Sequence, residues 1–217
     1  MERKFEFSIG EFYHLYNRGN NKQTIFLKNR DKERFVHLLY LCNSKKPVDY
    51  KLIKNSGIFT HQKESPLVDI GLYCLMPNHF HMLVREAQDG GISKFMQKLT
   101  TAYSMYFNKL YEKTGSLFEG KFKAQHINND RHFQYLFAYI HLNPVKLIEK
   151  NWKDIGITDK QKAKDYLLHY THSSYIDYIG IPRKEGHILN RDAFPFSFSN
   201  TKEFEEYIDD VLQGPTL

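Results

Sequence analysis

Two histidines separated by one residue, His79 and His81, lie in the hexapeptide Met76-Pro77-Asn78-His79-Phe80-His81 at the junction of two apolar runs. Side chains alternate along a strand, so both imidazoles project to one face while Phe80, Met82 and Val84 project to the other. Roughly 7 Å separates residues two apart along a strand, and imidazoles so placed can share one metal ion if a third ligand comes from elsewhere. The same spacing is equally compatible with a pair of ordinary surface or core histidines. A second polar group lies between Asp130 and Leu142, where Phe133, Leu136, Phe137 and Ile140 recur at helical spacing. Tyr139 and Asn143 are four apart and share one side of that helix, with His132 on the same flank. The amide oxygen of Asn143 suits a hard cation such as Mg²⁺ or Mn²⁺. Packing offers a plainer reading, with Tyr139 a half-buried aromatic and Asn143 a helix terminator before Pro144.

The elements that must carry these residues can be read from periodicity. Residues 9–18 are aromatic-rich and roughly alternating, which predicts a strand ending at Gly19-Asn20-Asn21. Phe35, Leu38, Leu39 and Cys42 predict a helix with Asp31 as its N-cap. A short strand is expected around Tyr50–Ile53, followed by a polar loop. Residues 68–76 and 79–85 read as strands, with Pro77-Asn78 either a turn or a kink within one long strand. Residues 92–111 form a long helix capped by Ser93, with Phe95, Leu99, Ala102, Tyr103, Tyr106 and Leu110 as its apolar stripe. Residues 116–127 look extended, and Asp130 caps the Tyr139 helix. This order predicts an α+β fold, an antiparallel sheet with helices packed on one face. Beyond residue 150 the pattern weakens, with helical candidates at 160–170 and 201–212. Residues 1–150 are expected to form the main domain and 151–217 a helical extension packed on it, since so short a piece has a meagre core of its own.

The chain has 217 residues, a formal charge of +6, and 15 Tyr and 17 Phe against one Trp. A basic, aromatic-rich chain is a candidate for nucleic-acid binding, because cations meet phosphates and rings stack on bases. Cys42 and Cys74 match no zinc or redox spacing and sit in apolar runs, which fits buried free thiols in a reducing compartment. The first residues lack the apolar core of a signal peptide, and no stretch reaches the length of a membrane span. The expectation is a cytoplasmic, nucleoid-associated protein with no membrane partner.

Four segments occur in order: Tyr13-His14-Leu15-Tyr16-Asn17-Arg18-Gly19, Met76-Pro77-Asn78-His79-Phe80-His81-Met82-Leu83, Thr114-Gly115-Ser116-Leu117-Phe118-Glu119-Gly120-Lys121-Phe122-Lys123, and Tyr139-Ile140-His141-Leu142-Asn143-Pro144-Val145. Together they resemble the single-tyrosine HUH transposases, in particular the REP-associated tyrosine transposase (IS200-like) branch. The resemblance spans roughly residues 9–150, and His172-Ser173-Ser174-Tyr175 resembles that branch's C-terminal extension. It implies a ferredoxin-like or RRM-like sandwich, a divalent metal (Mg²⁺ or Mn²⁺) held by His79, His81 and Asn143, and Tyr139 as nucleophile. The implied reaction is cleavage of single-stranded or hairpin DNA through a 5′-phosphotyrosine that leaves a free 3′-hydroxyl, and later strand transfer. Members include dimers and monomers, so the resemblance leaves the oligomeric state open.

Other residues compete for roles. Tyr103 and Tyr106 lie in an apolar stripe and read as packing; Tyr111 has no amide partner one turn on. His126, His132 and His141 read as solvated or DNA-facing. Arg18, Lys121 and Lys123 are the candidate phosphate contacts; members of the family commonly carry Arg at the position of Lys121, and Lys keeps the charge without the bidentate geometry. A water-using metallohydrolase would need a general base beside the histidines, and Glu86 is too far along the strand. The alternative is a non-catalytic module that holds single-stranded nucleic acid on an RRM-like sheet. Such a binder would not need Tyr139 together with the histidine pair.

Overall fold

A computed structural model describes residues 6–47, 49–53, 57–62, 65–195, 198 and 200–213. Its centre is a four-stranded antiparallel sheet in the order β2-β3-β1-β4, formed by β1 (Phe12–Arg18), β2 (Val68–Met76), β3 (His79–Glu86) and β4 (Lys123–Ile127). Alternation sorts each strand between two cores. Tyr13, Leu15, Phe80, Met82 and Val84 pack on one face beneath α1 (Asn29–Leu41) and α3 (Gly91–Leu110). This is the helical layer that periodicity predicts. The opposite face is also covered. Leu72, Cys74, Met76 and Leu83 meet Phe133, Phe137 and Ile140 of α4 (Asp130–Leu142) and a large part of the C-terminal segment.

The switch of faces within β2 has a local cause. A bulge between Ile70 and Leu72 shifts the register, so Val68 and Ile70 share a core with Tyr73 and Leu75 despite the change of parity. Gly71 sits at that bulge, and a Cβ there would come within 2.8 Å of the Phe194 ring.

β2 is an edge strand, yet all nine of its residues are buried. The C-terminal segment satisfies its outer edge. Leu75 N donates to His172 O at 3.0 Å, Ser174 N to Tyr73 O at 3.0 Å, Asn190 N to Ile70 O at 2.9 Å, and the Tyr178 hydroxyl to Gly71 O at 3.0 Å. An edge that would otherwise offer unpaired backbone groups is thereby closed. The segment contributes α5 (Trp152–Ile155), α6 (Lys160–His169), α7 (Tyr175–Tyr178) and α8 (Thr201–Gln213). Arg183 fastens it: the partly buried guanidinium donates to Asp177 and to the carbonyls of Thr171 and Ser173.

Several local expectations are corrected. Tyr50–Ile53 is a short helix, α2, not a strand; Asp49 Oδ1 accepts from Lys51 N at 2.8 Å and starts a turn. The polar loop expected after it falls partly outside the described residues. Asp31 is not an N-cap but sits three residues inside, fully buried, accepting from Lys28 N and from the hydroxyls of Tyr106 and Tyr111. Those two tyrosines therefore serve the fold. Helix α3 starts at Gly91 after Gly90, whose φ of +64 favours glycine, rather than at Ser93. Asn129, not Asp130, caps α4 by accepting from His132 N at 2.8 Å. Of residues 116–127 only Lys123–Ile127 form a strand.

Candidate active site

The site is built on the helical-segment side of the β3 hairpin. β2 and β3 pair with Met76 opposite His79, so Pro77-Asn78 is a two-residue turn and not a kink. The turn is clamped: Ile25 N and Phe26 N donate to Pro77 O, and Gly19 N to Asn78 O. Asn78 Nδ2 donates to Lys22 O at 3.0 Å, which orients its amide and leaves Oδ1 at 2.7 Å from His79 Nδ1. A carbonyl oxygen only accepts, so His79 carries its proton on Nδ1 and keeps a lone pair on Nε2. His81 Nδ1 is also engaged, 2.8 Å from His14 Nε2.

Both imidazoles are neutral at physiological pH. Burial pulls His79 down to about 4, with Lys146, Lys153 and Arg18 pushing the same way. Burial holds His81 well below its ordinary value, helped by His14, His79 and Lys153. A neutral imidazole is the form that ligates a metal.

Tyr139, half-buried on α4, presents its ring to the edge of His81, with centroids 5.5 Å apart. It stacks on Tyr135 at 5.8 Å, and Lys153 Nζ lies 3.9 Å from its ring centre. Asn143 is one turn further along, at the junction of α4 with the 3-10 helix Asn143–Leu147. It is 1% exposed, and its Nδ2 has no hydrogen-bond partner among the described residues. That Nδ2 is a donor, so the unpaired atom one turn from Tyr139 calls for an acceptor such as a phosphate oxygen, while only the Oδ1 of the same amide could ligate a cation. No group of three or more His, Cys, Asp or Glu side chains among the described residues could hold a metal ion. A cation on His79 and His81 therefore takes its remaining donors from another class, and the Asn143 amide, water and phosphate oxygens fit a hard divalent ion. The donor set is compatible with the expected metal.

The expected cations divide. Arg18 lies opposite His79 in the strand register, but its guanidinium is bound by both carboxylate oxygens of Glu119. Lys121 and Lys123 are exposed, and Lys123 shares a cross-strand row with Tyr16 and His81. His126 pairs with Glu11 at 2.7 Å. His141, expected to be solvated or DNA-facing, is instead fully buried, with Nε2 3.0 Å from Ser174 Oγ. Helix α4 is covered on that side by α7 and α8, which its own sequence does not reveal. Glu86 falls on the face of Phe80, Met82 and Val84, away from the histidines.

Three residues at the site escape the sequence reading. His14 has a signal, since alternation along β1 places it on the face of Tyr16. Lys146 and Lys153 have none, because they reach the site only through the chain's path after α4.

The antiparallel α+β sheet thus carries a histidine pair against a helical tyrosine. The family model described as transposase IS200-like matches residues 12–143, and the chain belongs to that family of DNA-cleaving transposases. No curated protein matches the chain. Among solved structures it is similar to one titled as a REP-associated tyrosine transposase bound to a REP hairpin, with 15% identity, a TM-score of 0.49, and coverage of 91% of this chain and 95% of that one. No helix among the described residues is long and apolar enough to cross a membrane.

Proposed function

We propose that the protein cleaves and rejoins single-stranded or hairpin DNA by nucleophilic attack of Tyr139, with a divalent cation, Mg²⁺ or Mn²⁺, held by His79, His81 and Asn143. The observation that carries this reading is the placement of the Tyr139 ring against His81, 5.5 Å between centroids. Family membership supports the DNA substrate and the transposase-type cleavage. The cation, when bound, would supply Lewis-acid polarisation of the scissile phosphate.

The chain's own residues do the rest. Tyr139 loses its phenolic proton to water and its oxygen bonds to phosphorus. The bond from phosphorus to the 3′ oxygen breaks, and that oxygen takes up a proton. The products are a 5′-phosphotyrosine and a free 3′-hydroxyl, so the phosphodiester energy is kept and a 3′-hydroxyl can reverse the step. Lys146 and Lys153 add positive charge beside the histidines, where a phosphate would sit. Lys121 and Lys123 contact flanking phosphates, and Arg18 joins them by exchanging Glu119 for phosphate. Residues 1–150 carry the strand-transfer unit and 151–217 an extension packed on it.

The test is incubation with labelled single-stranded hairpin oligonucleotides and Mg²⁺ or Mn²⁺, then a denaturing gel and mass mapping. The expected result is a DNA-protein adduct at Tyr139, lost with chelator and in Tyr139→Phe, which still binds DNA. DNA binding without an adduct across a hairpin library would overturn catalysis in favour of a single-strand binding module.

A further inference from the structure

His14 sits beside His81, and the strand-transfer reading above does not use it. β1 and β3 pair with His14 opposite Leu83 and Tyr16 opposite His81, so His14 and His81 are diagonal neighbours on one face. The rings of Tyr16, His14 and His81 form a stack, with centroids 4.9 Å apart for the first pair and 5.1 Å for the second. His14 Nε2 lies 2.8 Å from His81 Nδ1. The other nitrogen, His14 Nδ1, is buried with no hydrogen-bond partner among the described residues.

Two proton arrangements of the neutral pair satisfy that bond, and they differ at His81 Nε2. Each neutral imidazole carries one N–H. When His81 Nδ1–H donates, His14 Nε2 accepts, the His14 proton is on Nδ1, and His81 Nε2 keeps its lone pair. When His14 Nε2–H donates, His81 carries its own proton on Nε2 and has no lone pair there for a cation. His79 faces no such choice, because the Asn78 carbonyl can only accept. The tautomer of His81 is left to His14.

We propose that His14 is a positioning residue for His81: its Nε2 accepts from His81 Nδ1–H, which holds the ring and presents the His81 Nε2 lone pair to a divalent cation. This rests on the reading that His79 and His81 hold such a cation. The arrangement leaves His14 Nδ1–H buried and unpaired, which is costly. The metal-free pair therefore populates the other tautomer as well, and cation binding draws it to the competent one. Partners behind a ligating histidine typically tune metal affinity about 10–100-fold.

The test uses the full chain. Mn²⁺ affinity is measured by calorimetry and paramagnetic resonance in the wild type, His14→Phe, His14→Gln and His81→Ala, with circular dichroism and melting to report folding. Nitrogen-15 imidazole spectra of the wild type, with and without Mg²⁺, report the His81 tautomer. His14→Phe keeps a ring and removes the acceptor; His14→Gln keeps an acceptor. The expected result is a loss of about tenfold or more in Mn²⁺ affinity for His14→Phe, recovery of most of it in His14→Gln, and a His81 Nδ1–H tautomer in Mg²⁺. Unchanged affinity in His14→Phe, with binding still lost in His81→Ala, overturns the positioning role and leaves the metal reading standing. Equal losses in Phe and Gln variants also overturn it, because the acceptor would then not matter. Unchanged affinity in His81→Ala removes the metal reading itself and the proposal with it. Should His14→Phe fail to fold, the wild-type spectra decide: a His81 Nε2–H tautomer persisting in Mg²⁺ overturns the proposal.

Discussion

The ammonium of Lys153 lies over the face of the Tyr139 ring, 3.9 Å from its centre. The two residues come from different parts of the chain. Tyr139 belongs to α4 within the segment that the family model matches, and Lys153 to α5 outside it. An ammonium over an aromatic face contributes about 0.5–2 kcal/mol, more as it is desolvated. In the proposed reaction it also adds positive charge beside the ring of the attacking tyrosine. Lys153→Met should slow adduct formation by about tenfold, a loss of about 1.4 kcal/mol, with DNA affinity changed much less. Single-turnover cleavage alongside equilibrium binding separates the two, and equal losses in both would reduce Lys153 to a plain DNA contact.

Glu119 occupies the guanidinium of Arg18 with both carboxylate oxygens. Both side chains are over 40% exposed, so the pair itself adds little stability. Its consequence is for binding. Glu119→Gln removes the competing charge and frees Arg18 for phosphate. Affinity for single-stranded DNA should rise, and the slope of log affinity against log salt should steepen by about 0.7 for each phosphate newly engaged. Fluorescence anisotropy across a salt series measures this; an unchanged slope would mean that Arg18 never reaches the DNA.

Arg183 ties the C-terminal segment together from a position 12% exposed, with Asp177 at 4%. Removing one partner of a buried charge pair costs about 3–5 kcal/mol, because the other is left uncompensated. Arg183→Met should lower the melting temperature clearly and open residues near 171–183 to limited proteolysis before the sheet. A melting curve and cleavage pattern matching the wild type would show that the β2 edge holds this segment without the guanidinium.

His141 links stability to pH. Burial lowers it from 6.5 to about 3 in the folded chain. The unfolded chain therefore takes up a proton at a pH where the folded chain does not. The stabilisation is complete above about 6.5 and is lost as pH falls toward 3. At pH 5 the loss from this residue alone is about 2 kcal/mol. Urea midpoints should fall between pH 7 and pH 5, and His141→Leu should lessen that dependence while leaving the part that other buried imidazoles such as His14 and His79 contribute. A pH dependence in His141→Leu equal to that of the wild type would contradict the neutral burial of His141.

Much of this molecule is legible in its sequence, and the reasons are local. Alternation places His79 and His81 on one face of β3 and Phe80, Met82 and Val84 on the other, as the two cores show. Helical spacing sets Tyr139 and Asn143 on one side of α4. Strand and helix periods depend only on backbone geometry, so they survive without knowledge of neighbours. Tyr50–Ile53 is helical where a strand is expected, because four residues are too few to separate the two periods and Asp49 Oδ1 accepts from Lys51 N at the start of the turn.

What tertiary structure alone decided is which of these faces meet and what each polar group finds there. Nothing near Arg18 in the sequence announces Glu119, which arrives from 101 residues away. His141 reads as a polar residue beside the site, and becomes a core residue only because the C-terminal segment folds over α4. His14 gains its meaning from the β1–β3 register, which sets its Nε2 against His81. Residue type and spacing determine which chemistry the chain can perform. Hydrogen bonds, ion pairs and burial between distant segments determine which nitrogen holds the proton, which cation is free and which histidine faces the site.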